Sequence, residues 1–239
     1  MNAFDVYILK FLNGFAHRCW TLDAILTTIS FNHLYKGGMF LAVLCFVWFQ
    51  SSAKTEEIRE KHQILLYTLF ICVPGLLFAR EAAAILPFRE RPLFESGLNL
   101  RHAFTLDATG LNGWSSFPSD HAVLFFALAT GVFLVNRRAG WFLYFYAAFL
   151  ICLPRIVLGF HYPTDVLAGA LFGSALGYSA RWSAWRSPIV GPAVRLQEAS
   201  PGIFYAAFFL LVYQTAVLYD PLRATVSVAH EIVLTLLHS

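Results

Sequence analysis

The chain contains 239 residues, of which 58% are hydrophobic and only 13% carry a charged side chain. Soluble domains carry about 25% charged residues, so this composition excludes an ordinary soluble domain. The apolar residues form runs suited to crossing a bilayer, and the net charge of +3 gives no reason to expect a nucleic-acid partner. The sequence therefore predicts a single all-α, polytopic membrane bundle over residues 1–239.

The N-terminal segment, residues 1–32, is predicted to lie at the membrane surface or to dip into it. It lacks the small-residue cleavage pattern of a signal peptide. Apolar side chains recur at helical spacing, as in an interfacial amphipathic helix, at Phe4, Ile8, Phe11 and Phe15. The apolar run 22–31 is too short to cross a bilayer, which favours a re-entrant or surface helix.

Six later apolar runs are predicted to span the membrane, with boundaries uncertain by a few residues. They cover residues 35–49, 63–86, 122–135, 140–153, 166–178 and 203–218. The last run belongs to a C-terminal region, 201–239, that combines a span with a tail. The stretch 181–200 contains prolines and glycine and is predicted to be a linker-like cytoplasmic loop.

The connectors between these spans differ in charge. Basic residues fill 52–61, 137–138 and 181–195, which share one side of the membrane by alternation. The positive-inside rule makes that side cytoplasmic. The opposite side holds 87–117 and 154–165, and it also contains arginines, namely Arg89, Arg91, Arg101 and Arg155. Because these arginines run against the charge bias, we expect them to bind an anion.

Three clusters of polar residues fall on that outer side. They are the segments 88–92 (Phe-Arg-Glu-Arg-Pro), 116–121 (Ser-Phe-Pro-Ser-Asp-His) and 155–165, which begins with arginine and ends with aspartate. Ionisable residues at the ends of membrane spans are costly unless they are paired or functional. Their placement predicts a common site.

The residue types in these clusters suit phosphoryl transfer. Catalysis of that reaction is largely positioning and electrostatic stabilisation of charge on the phosphoryl oxygens. Arg91 and Arg155 offer planar, permanently charged forks that each grip two oxygens. Ser119 precedes a predicted helix, where its hydroxyl and the free amides of the first turn face an anion.

Two histidines divide the chemical work in this hypothesis. His161 attacks phosphorus, which requires a neutral ring with one free nitrogen. Asp165, four residues later, would fix the tautomer and stabilise the imidazolium that develops, and it could also cap the following helix. His121 would protonate the leaving oxygen as a general acid.

These clusters resemble the three-part signature of the type 2 phosphatidic-acid phosphatase superfamily, which is shared with vanadium haloperoxidases. The family pattern is lysine, six residues and Arg-Pro; then Pro-Ser-Gly-His; then arginine, five residues, histidine, three residues and aspartate. Arg91-Pro92 matches the end of the first motif, and residues 118–121 match the second. Arg155, His161 and Asp165 match the third at the family spacing. The resemblance covers about residues 80–173, and the wording of the second and third motifs is most similar to bacterial undecaprenyl-diphosphate phosphatases.

The chain departs from this pattern at two positions. Ala84 occupies the place of the motif lysine, for which Arg80 or Arg89 could substitute. Asp120 replaces the glycine of the second motif, and we include it among the candidate phosphate-binding residues. Both changes alter the charge that a bound phosphate would meet.

The resemblance implies a six-span, metal-independent hydrolase of the bacterial inner membrane, with no cofactor and with a site open to the periplasm or exterior. His161 would become a phosphohistidine, Asp165 would orient it, and His121 would act as acid and then activate water. The partners would be a lipid phosphate substrate and membrane lipids, and the substrate would be undecaprenyl diphosphate, a carrier lipid recycled during cell-wall biogenesis.

Several alternatives stay open from the sequence alone. The substrate could instead be phosphatidylglycerophosphate, phosphatidate or lipid A, and the phosphate acceptor could be a molecule other than water. A non-catalytic lipid-phosphate binding or transport protein is the alternative of another class. A soluble haloperoxidase is excluded by the apolar spans. The oligomeric state is open, because the small residues that permit close helix packing serve a bundle as well as a dimer.

Overall fold

A computed structural model of the chain describes residues 2–50, 55–106 and 111–220. Within these ranges the regular structure is helical. The α-helices are α1 Ala3–Asn13, α2 Trp20–Phe31, α3 Met39–Phe49, α4 Thr55–Ile85, α5 Asp120–Val135, α6 Arg137–Tyr146, α7 Leu153–Val157, α8 Pro163–Tyr178, α9 Ser183–Ala199 and α10 Pro201–Ala216. A π-helical segment, Leu34–Gly38, leads into α3, and another, Ala147–Cys152, joins α6 to α7. Residues 52–54 of the predicted basic connector and the predicted C-terminal tail beyond residue 220 lie outside the described residues.

Each of the six predicted apolar runs lies on a helix. Two helices are long and apolar enough to cross a membrane, Thr55–Ile85 and Arg137–Val157. Shorter apolar helices cover Leu34–Phe49, Asp120–Val135 and Pro201–Ala216. Large apolar side chains are exposed along these helices, as at Phe145 and Phe149, which are each 58% exposed.

Helix α5 lies at the centre of the bundle, with α4, α6 and α8 against it. Its closest neighbour is α8, because glycines on α8 let the two backbones approach. A Cβ atom on Gly173 would lie 2.2 Å from the Val123 carbonyl oxygen, and one on Gly169 would lie 2.6 Å from that of Ser119. These small residues therefore serve packing within the chain.

The N-terminal helices lie against the long loop that joins α4 to α5, which we call the outer loop. Helix α1 exposes Phe4 and Phe11 as the sequence pattern predicts, and its buried face is partly polar, with Asp5 and Asn13. The Asn13 side chain donates to the carbonyl oxygens of Arg101 (3.0 Å) and Val157 (2.9 Å). It also accepts from the Arg101 amide at 2.7 Å. This helix thus ties the outer loop to α7.

Helix α2 fixes the same loop through a buried carboxylate. Asp23 is fully buried and accepts hydrogen bonds from the backbone amides of His17 (3.1 Å) and Phe104 (2.9 Å). Beneath the loop is a small apolar core of Leu93, Ala103, Leu158 and Phe160. The loop that carries the first and second motifs therefore has a fixed support.

The prediction of a linker-like loop at 181–200 is wrong, since residues 183–199 form helix α9. Arg186, Val190 and Val194 are its buried residues, one turn apart on a single face. The Arg186 guanidinium donates to the Ala180 carbonyl at 2.9 Å and to Glu60 of α4 at 3.3 Å. Pro188 and Pro192 lie on the exposed face. Packing against α4 outweighs the low helix propensity of proline.

Candidate active site

Backbone hydrogen bonds bring the three polar clusters together at one end of the bundle. The amide of Leu93, just after the first cluster, donates to the Gly159 carbonyl in the third at 2.9 Å. The Ser116 amide of the second cluster donates to the Arg89 carbonyl of the first at 2.8 Å. The Ser119 amide donates to the Asp165 carbonyl at 3.3 Å, joining the second cluster to the third. The expected convergence of the three motifs is therefore present.

His161 lies between helices α7 and α8 and is 2% exposed. Its Nδ1 donates to the carbonyl oxygen of Ser116 at 2.8 Å. Because a carbonyl only accepts, the proton is on Nδ1 and the lone pair is on Nε2. The Asp165 carboxylate is more distant, at 3.8 Å from Nδ1. The closest group that orients the imidazole is thus a backbone carbonyl that the sequence analysis did not identify.

Burial lowers the pKa of His161 below its usual value near 6.5, the positive charges of Arg91 and Arg155 lower it further, and Asp165 opposes them. The ring is therefore neutral at neutral pH. Neutrality and a free Nε2 are the two properties that an imidazole nucleophile needs.

Asp165 is fully buried and bridges the backbone of α8 to an arginine. Its Oδ2 accepts from the Tyr162 amide at 2.8 Å, which caps the helix as one reading of the sequence suggested. Its Oδ1 accepts from the Arg89 guanidinium, which lies 4.0 Å from the centre of the Tyr162 ring. Arg89 therefore lies behind Asp165 and supports it.

Asp5 completes this network and was missed by the sequence analysis. Its side chain is fully buried and accepts from Arg89 Nη2 at 2.7 Å. It also accepts from the Thr164 amide at 2.9 Å and the Thr164 hydroxyl at 2.7 Å. The sequence did contain an indication of this role. Asp5 is a carboxylate among the apolar residues of α1, and such a residue is costly unless it is paired.

The second histidine, His121, lies in the first turn of α5 between the carboxylate of Asp120 and the guanidinium of Arg155. Its Nδ1 donates to Asp120 Oδ1 at 2.7 Å, and the same oxygen accepts the His121 amide at 2.8 Å. Arg155 Nη2 lies 2.6 Å from His121 Nε2 and 3.3 Å from the Ser30 carbonyl oxygen. Since a guanidinium only donates, Nε2 accepts here. Asp120 is placed to stabilise a second proton on this ring.

A pocket of about 260 Å³ opens beside these groups. Its wall consists of Ala79, Arg80, Ala83, Arg91, Leu111, Trp114, Ser115, Pro118, Asp120 and His161. His161, Asp120 and two of the predicted arginines therefore share one cavity. The wall combines cationic groups with apolar surface, as a binding site for an amphipathic phosphate requires.

Arg91 and Ser119, two of the predicted phosphate ligands, also form hydrogen bonds with backbone groups of the protein. Arg91 donates to the carbonyl oxygens of Trp114 (3.2 Å), Phe160 (3.0 Å) and Ser115 (3.4 Å). These three bonds leave further guanidinium hydrogens for the pocket. Ser119 is fully buried, and its hydroxyl accepts from the Ala122 amide at 3.5 Å as the cap of α5.

Three further positions from the sequence analysis, Arg101, Ala84 and Arg80, lie in different places. Arg101 lies away from the pocket, where Nη1 donates to the Gly14 carbonyl at 3.5 Å. Ala84, at the motif-lysine position, is exposed. Arg80 lies in the pocket wall, where Nη2 is 3.8 Å from Asp120 and 3.7 Å from Asp220. Of the two candidates to replace the lysine, only Arg80 lines the cavity.

Comparison with known proteins agrees with the motifs. A model of the PAP2 superfamily matches residues 84–188. The bacitracin transport permease protein BcrC of Bacillus licheniformis is 39% identical over 84 residues, which are 35% of this chain and 41% of that protein. The undecaprenyl-diphosphatase BcrC of Bacillus subtilis is 28% identical over 193 residues, which are 80% of this chain and 91% of that protein.

Among solved structures, the crystal structure of Aquifex aeolicus LpxE is similar, with a TM-score of 0.49 and 23% identity. The similarity covers 75% of this chain and 95% of that one. The residues matched by the family model contain all three polar clusters, His161 and Asp165 among them. Residues 84–188 therefore match a PAP2 superfamily domain. This match and the undecaprenyl-diphosphatase relative support a phosphatase that acts on a lipid phosphate or diphosphate.

Proposed function

We propose that the chain hydrolyses a polyprenyl diphosphate, undecaprenyl diphosphate in particular, through a phosphohistidine formed on His161. The observation that carries this proposal is the His161 ring, which is neutral, held at Nδ1 by Ser116 and placed in the wall of a cationic pocket. The similarity to the undecaprenyl-diphosphatase BcrC of Bacillus subtilis supports the choice of lipid.

In the first step, His161 Nε2 forms a bond to the terminal phosphorus as the bond from that phosphorus to the bridging oxygen breaks. The electron pair leaves with the oxygen. His121 Nε2, which accepts from Arg155 in the empty site, takes a proton from solvent when the phosphate draws Arg155 away, and it then donates that proton to the leaving oxygen. The Nδ1–H of His161 keeps its hydrogen bond to the Ser116 carbonyl, and Asp165 is near enough to stabilise the positive ring. Arg91 and Arg155 offset the charge on the phosphoryl oxygens.

In the second step, His121 Nε2 removes a proton from water, and the oxygen of that water attacks the phosphohistidine. Inorganic phosphate leaves, and His161 returns to its neutral form. The Asp120 carboxylate, 2.7 Å from Nδ1, stabilises His121 each time its ring carries two protons. No metal enters this scheme, because the arginines supply the positive charge.

We further propose that the chain crosses the bacterial inner membrane six times and that the site faces the periplasm or exterior. The two long apolar helices, the three shorter ones and α8, which contains the run 166–178, support this arrangement, as do the exposed phenylalanines. The basic connectors at the opposite end support the orientation.

Phosphate release by the detergent-purified protein tests the function, with a metal chelator present. Undecaprenyl diphosphate, phosphatidylglycerophosphate and phosphatidate serve as separate substrates. The variant His161→Ala is compared with His102→Ala, a matched control because His102 is exposed.

We expect chelator-resistant release that is fastest with undecaprenyl diphosphate, is abolished by His161→Ala and survives His102→Ala. A preference for either other lipid would retain the mechanism and change the substrate. Full activity in His161→Ala would refute the phosphohistidine. No turnover of any lipid by the folded protein would favour the binding-protein alternative.

A further inference from the structure

Lys36 is a buried lysine close to the proposed site, on a part of the chain that none of the three motifs includes. It lies in the π-helical segment Leu34–Gly38 and is 5% exposed. The other two lysines in the described residues, Lys10 and Lys61, are exposed and half-buried. A buried ammonium group is costly unless an anion compensates it.

The backbone on either side of Lys36 is fixed by two other helices. The Tyr35 carbonyl accepts a 2.7 Å hydrogen bond from the Tyr146 hydroxyl of α6. Gly37 lies so close to α10 that a Cβ atom there would be 1.9 Å from the Ala216 carbonyl oxygen. The segment is therefore held in a position that keeps the lysine side chain inside the protein.

The charges around Lys36 belong to the active site. Phe40, one turn after Lys36, packs against Phe125, one turn after His121, with ring centroids 4.7 Å apart. Arg155 donates to the Ser30 carbonyl, six residues before Lys36, at 3.3 Å. Lys36 therefore interacts electrostatically with Arg155, Asp120 and His121. Among the described residues, no hydrogen bond or ion pair holds the Lys36 ammonium. The neighbouring Nε of Arg155 is likewise buried without a hydrogen-bond partner.

Two buried cations with unused hydrogen-bond donors repel each other and destabilise the empty protein. Such an arrangement suits the binding of an anion that carries more than one negative charge. Asp120 interacts electrostatically with both cations, but its Oδ1 is already engaged by the amide and the ring of His121. A phosphate group would satisfy donors that the protein itself leaves unused.

We infer that Lys36 is a phosphate-binding residue of this site and supplies, from the segment before α3, the ammonium that is missing at Ala84. This inference rests on the proposed function for the identity of the substrate. The two arginines that the sequence suggested as replacements have partners of their own, Arg89 with Asp5 and Asp165, and Arg80 with the Leu218 carbonyl.

The variant Lys36→Met tests this inference, because methionine keeps most of the side-chain length and removes the charge. Lys10→Met is the matched control, since Lys10 is an exposed lysine on α1. Two quantities are measured for each purified variant: phosphate release from undecaprenyl diphosphate, and the rise in unfolding temperature caused by inorganic phosphate.

We expect Lys36→Met to lose about 10- to 100-fold in kcat/KM, the effect of one charge-assisted hydrogen bond, and to lose the response to inorganic phosphate. Lys36→Arg should recover part of both, and Lys10→Met should match the wild type. Without phosphate, Lys36→Met should unfold at a higher temperature than the wild type, because a buried charge has been removed.

A purely structural lysine gives the opposite pattern. An unfolded Lys36→Met protein, or one with a lower unfolding temperature, would overturn the inference, and so would wild-type turnover with an unchanged phosphate response. If the wild type hydrolysed no lipid but its phosphate response depended on Lys36, the proposed function would fail and the phosphate site would stand.

Discussion

At the residue scale, the two histidines differ in what holds their rings. His161 Nδ1 donates to a neutral carbonyl, whereas His121 Nδ1 donates to a carboxylate at 2.7 Å. The carbonyl leaves Nε2 of the first ring free. For the other ring, burial and Arg155 lower the pKa, and the Asp120 carboxylate opposes them. The replacement of the motif glycine by Asp120 therefore places a compensating charge beside His121, in addition to changing the charge at the phosphate.

The lowered pKa of His161 predicts the pH dependence of the reaction. Only the neutral ring attacks phosphorus, so activity falls when the ring gains a proton. Because burial holds the pKa below 6.5, the acid limb of kcat/KM should lie below pH 6.5. Asp165→Asn removes a charge that raises this pKa, so its acid limb should shift to still lower pH and its maximal rate should fall.

The pH profile of kcat/KM for the wild type and Asp165→Asn measures both effects. Ionisation of the substrate is common to the two proteins, so the difference between the profiles belongs to the enzyme. An acid limb that moved upward in the variant would show that a group other than His161 controls it.

The sequence predicted Arg91, Asp120 and His161, which line the pocket, because each belongs to one of three short motif segments. It did not reveal Ser116 as the partner of His161, since the contact is made by a backbone carbonyl that any residue carries. It also did not reveal Asp5, because this residue contacts Arg89 and Thr164 from a helix far away in the chain. Such contacts depend on tertiary packing and leave no local pattern.

At the scale of elements, α1 is part of the support of the active site. The sequence predicts a helix with an exposed apolar face there, and Phe4 and Phe11 confirm the pattern. The polar face was not predicted, although it provides the link from Asp5 through Arg89 to Asp165. A helix with an exposed apolar face therefore also supports the candidate site through Arg89.

Asp5→Asn is expected to destabilise the protein and to slow the reaction. It leaves Arg89 with one carboxylate partner and weakens the bond from the Thr164 amide. Removing one member of a buried ion pair costs about 3 kcal/mol or more, and Asp165 loses the support that places it near His161. Thermal unfolding and phosphate release measure the two effects.

Tyr7→Ala is the control for that experiment, because Tyr7 lies on the same helix and is 77% exposed. It should leave both the unfolding temperature and the rate unchanged. If Asp5→Asn behaved like Tyr7→Ala, α1 would have no part in holding the site.

Helix α9 shows the limit of composition as a guide to elements. Its prolines and glycine suggested a linker, whereas its buried face, Arg186, Val190 and Val194, repeats with the period of a helix. The prolines fall on the exposed side, where the packing against α4 is not disturbed. The periodicity of the buried residues was the better signal.

At the scale of the whole molecule, the sequence predicted the order of the helices better than their lengths. Apolar runs mark where a helix is stable in lipid, but helix ends depend on caps and neighbours, such as Ser119 at the start of α5. Helix α5 has the candidate site at its N-terminus and the basic connector 137–138 after its C-terminus. Its 16 residues separate the two by about 24 Å at the rise of an α-helix.

The proposed orientation can be tested with cysteine labelling in intact cells. Cys19 is exposed and lies beside the outer loop, since the adjacent segment bonds to it through His17 and His102. In the proposed orientation, with the site side facing outward, a membrane-impermeant thiol reagent should label Cys19 without permeabilisation. Cys72 and Cys152 are buried and should stay unlabelled in the folded protein.

The control is Arg138→Cys in a Cys19→Ser background, since Arg138 is exposed in the first turn of α6 at the opposite end of the bundle. This variant should react only after the membrane is permeabilised, because the basic connectors stay in the cytoplasm. The reverse pattern, with labelling of Arg138→Cys in intact cells and protection of Cys19, would place the phosphatase site in the cytoplasm. The lipid diphosphate would then have to be presented from the inner leaflet.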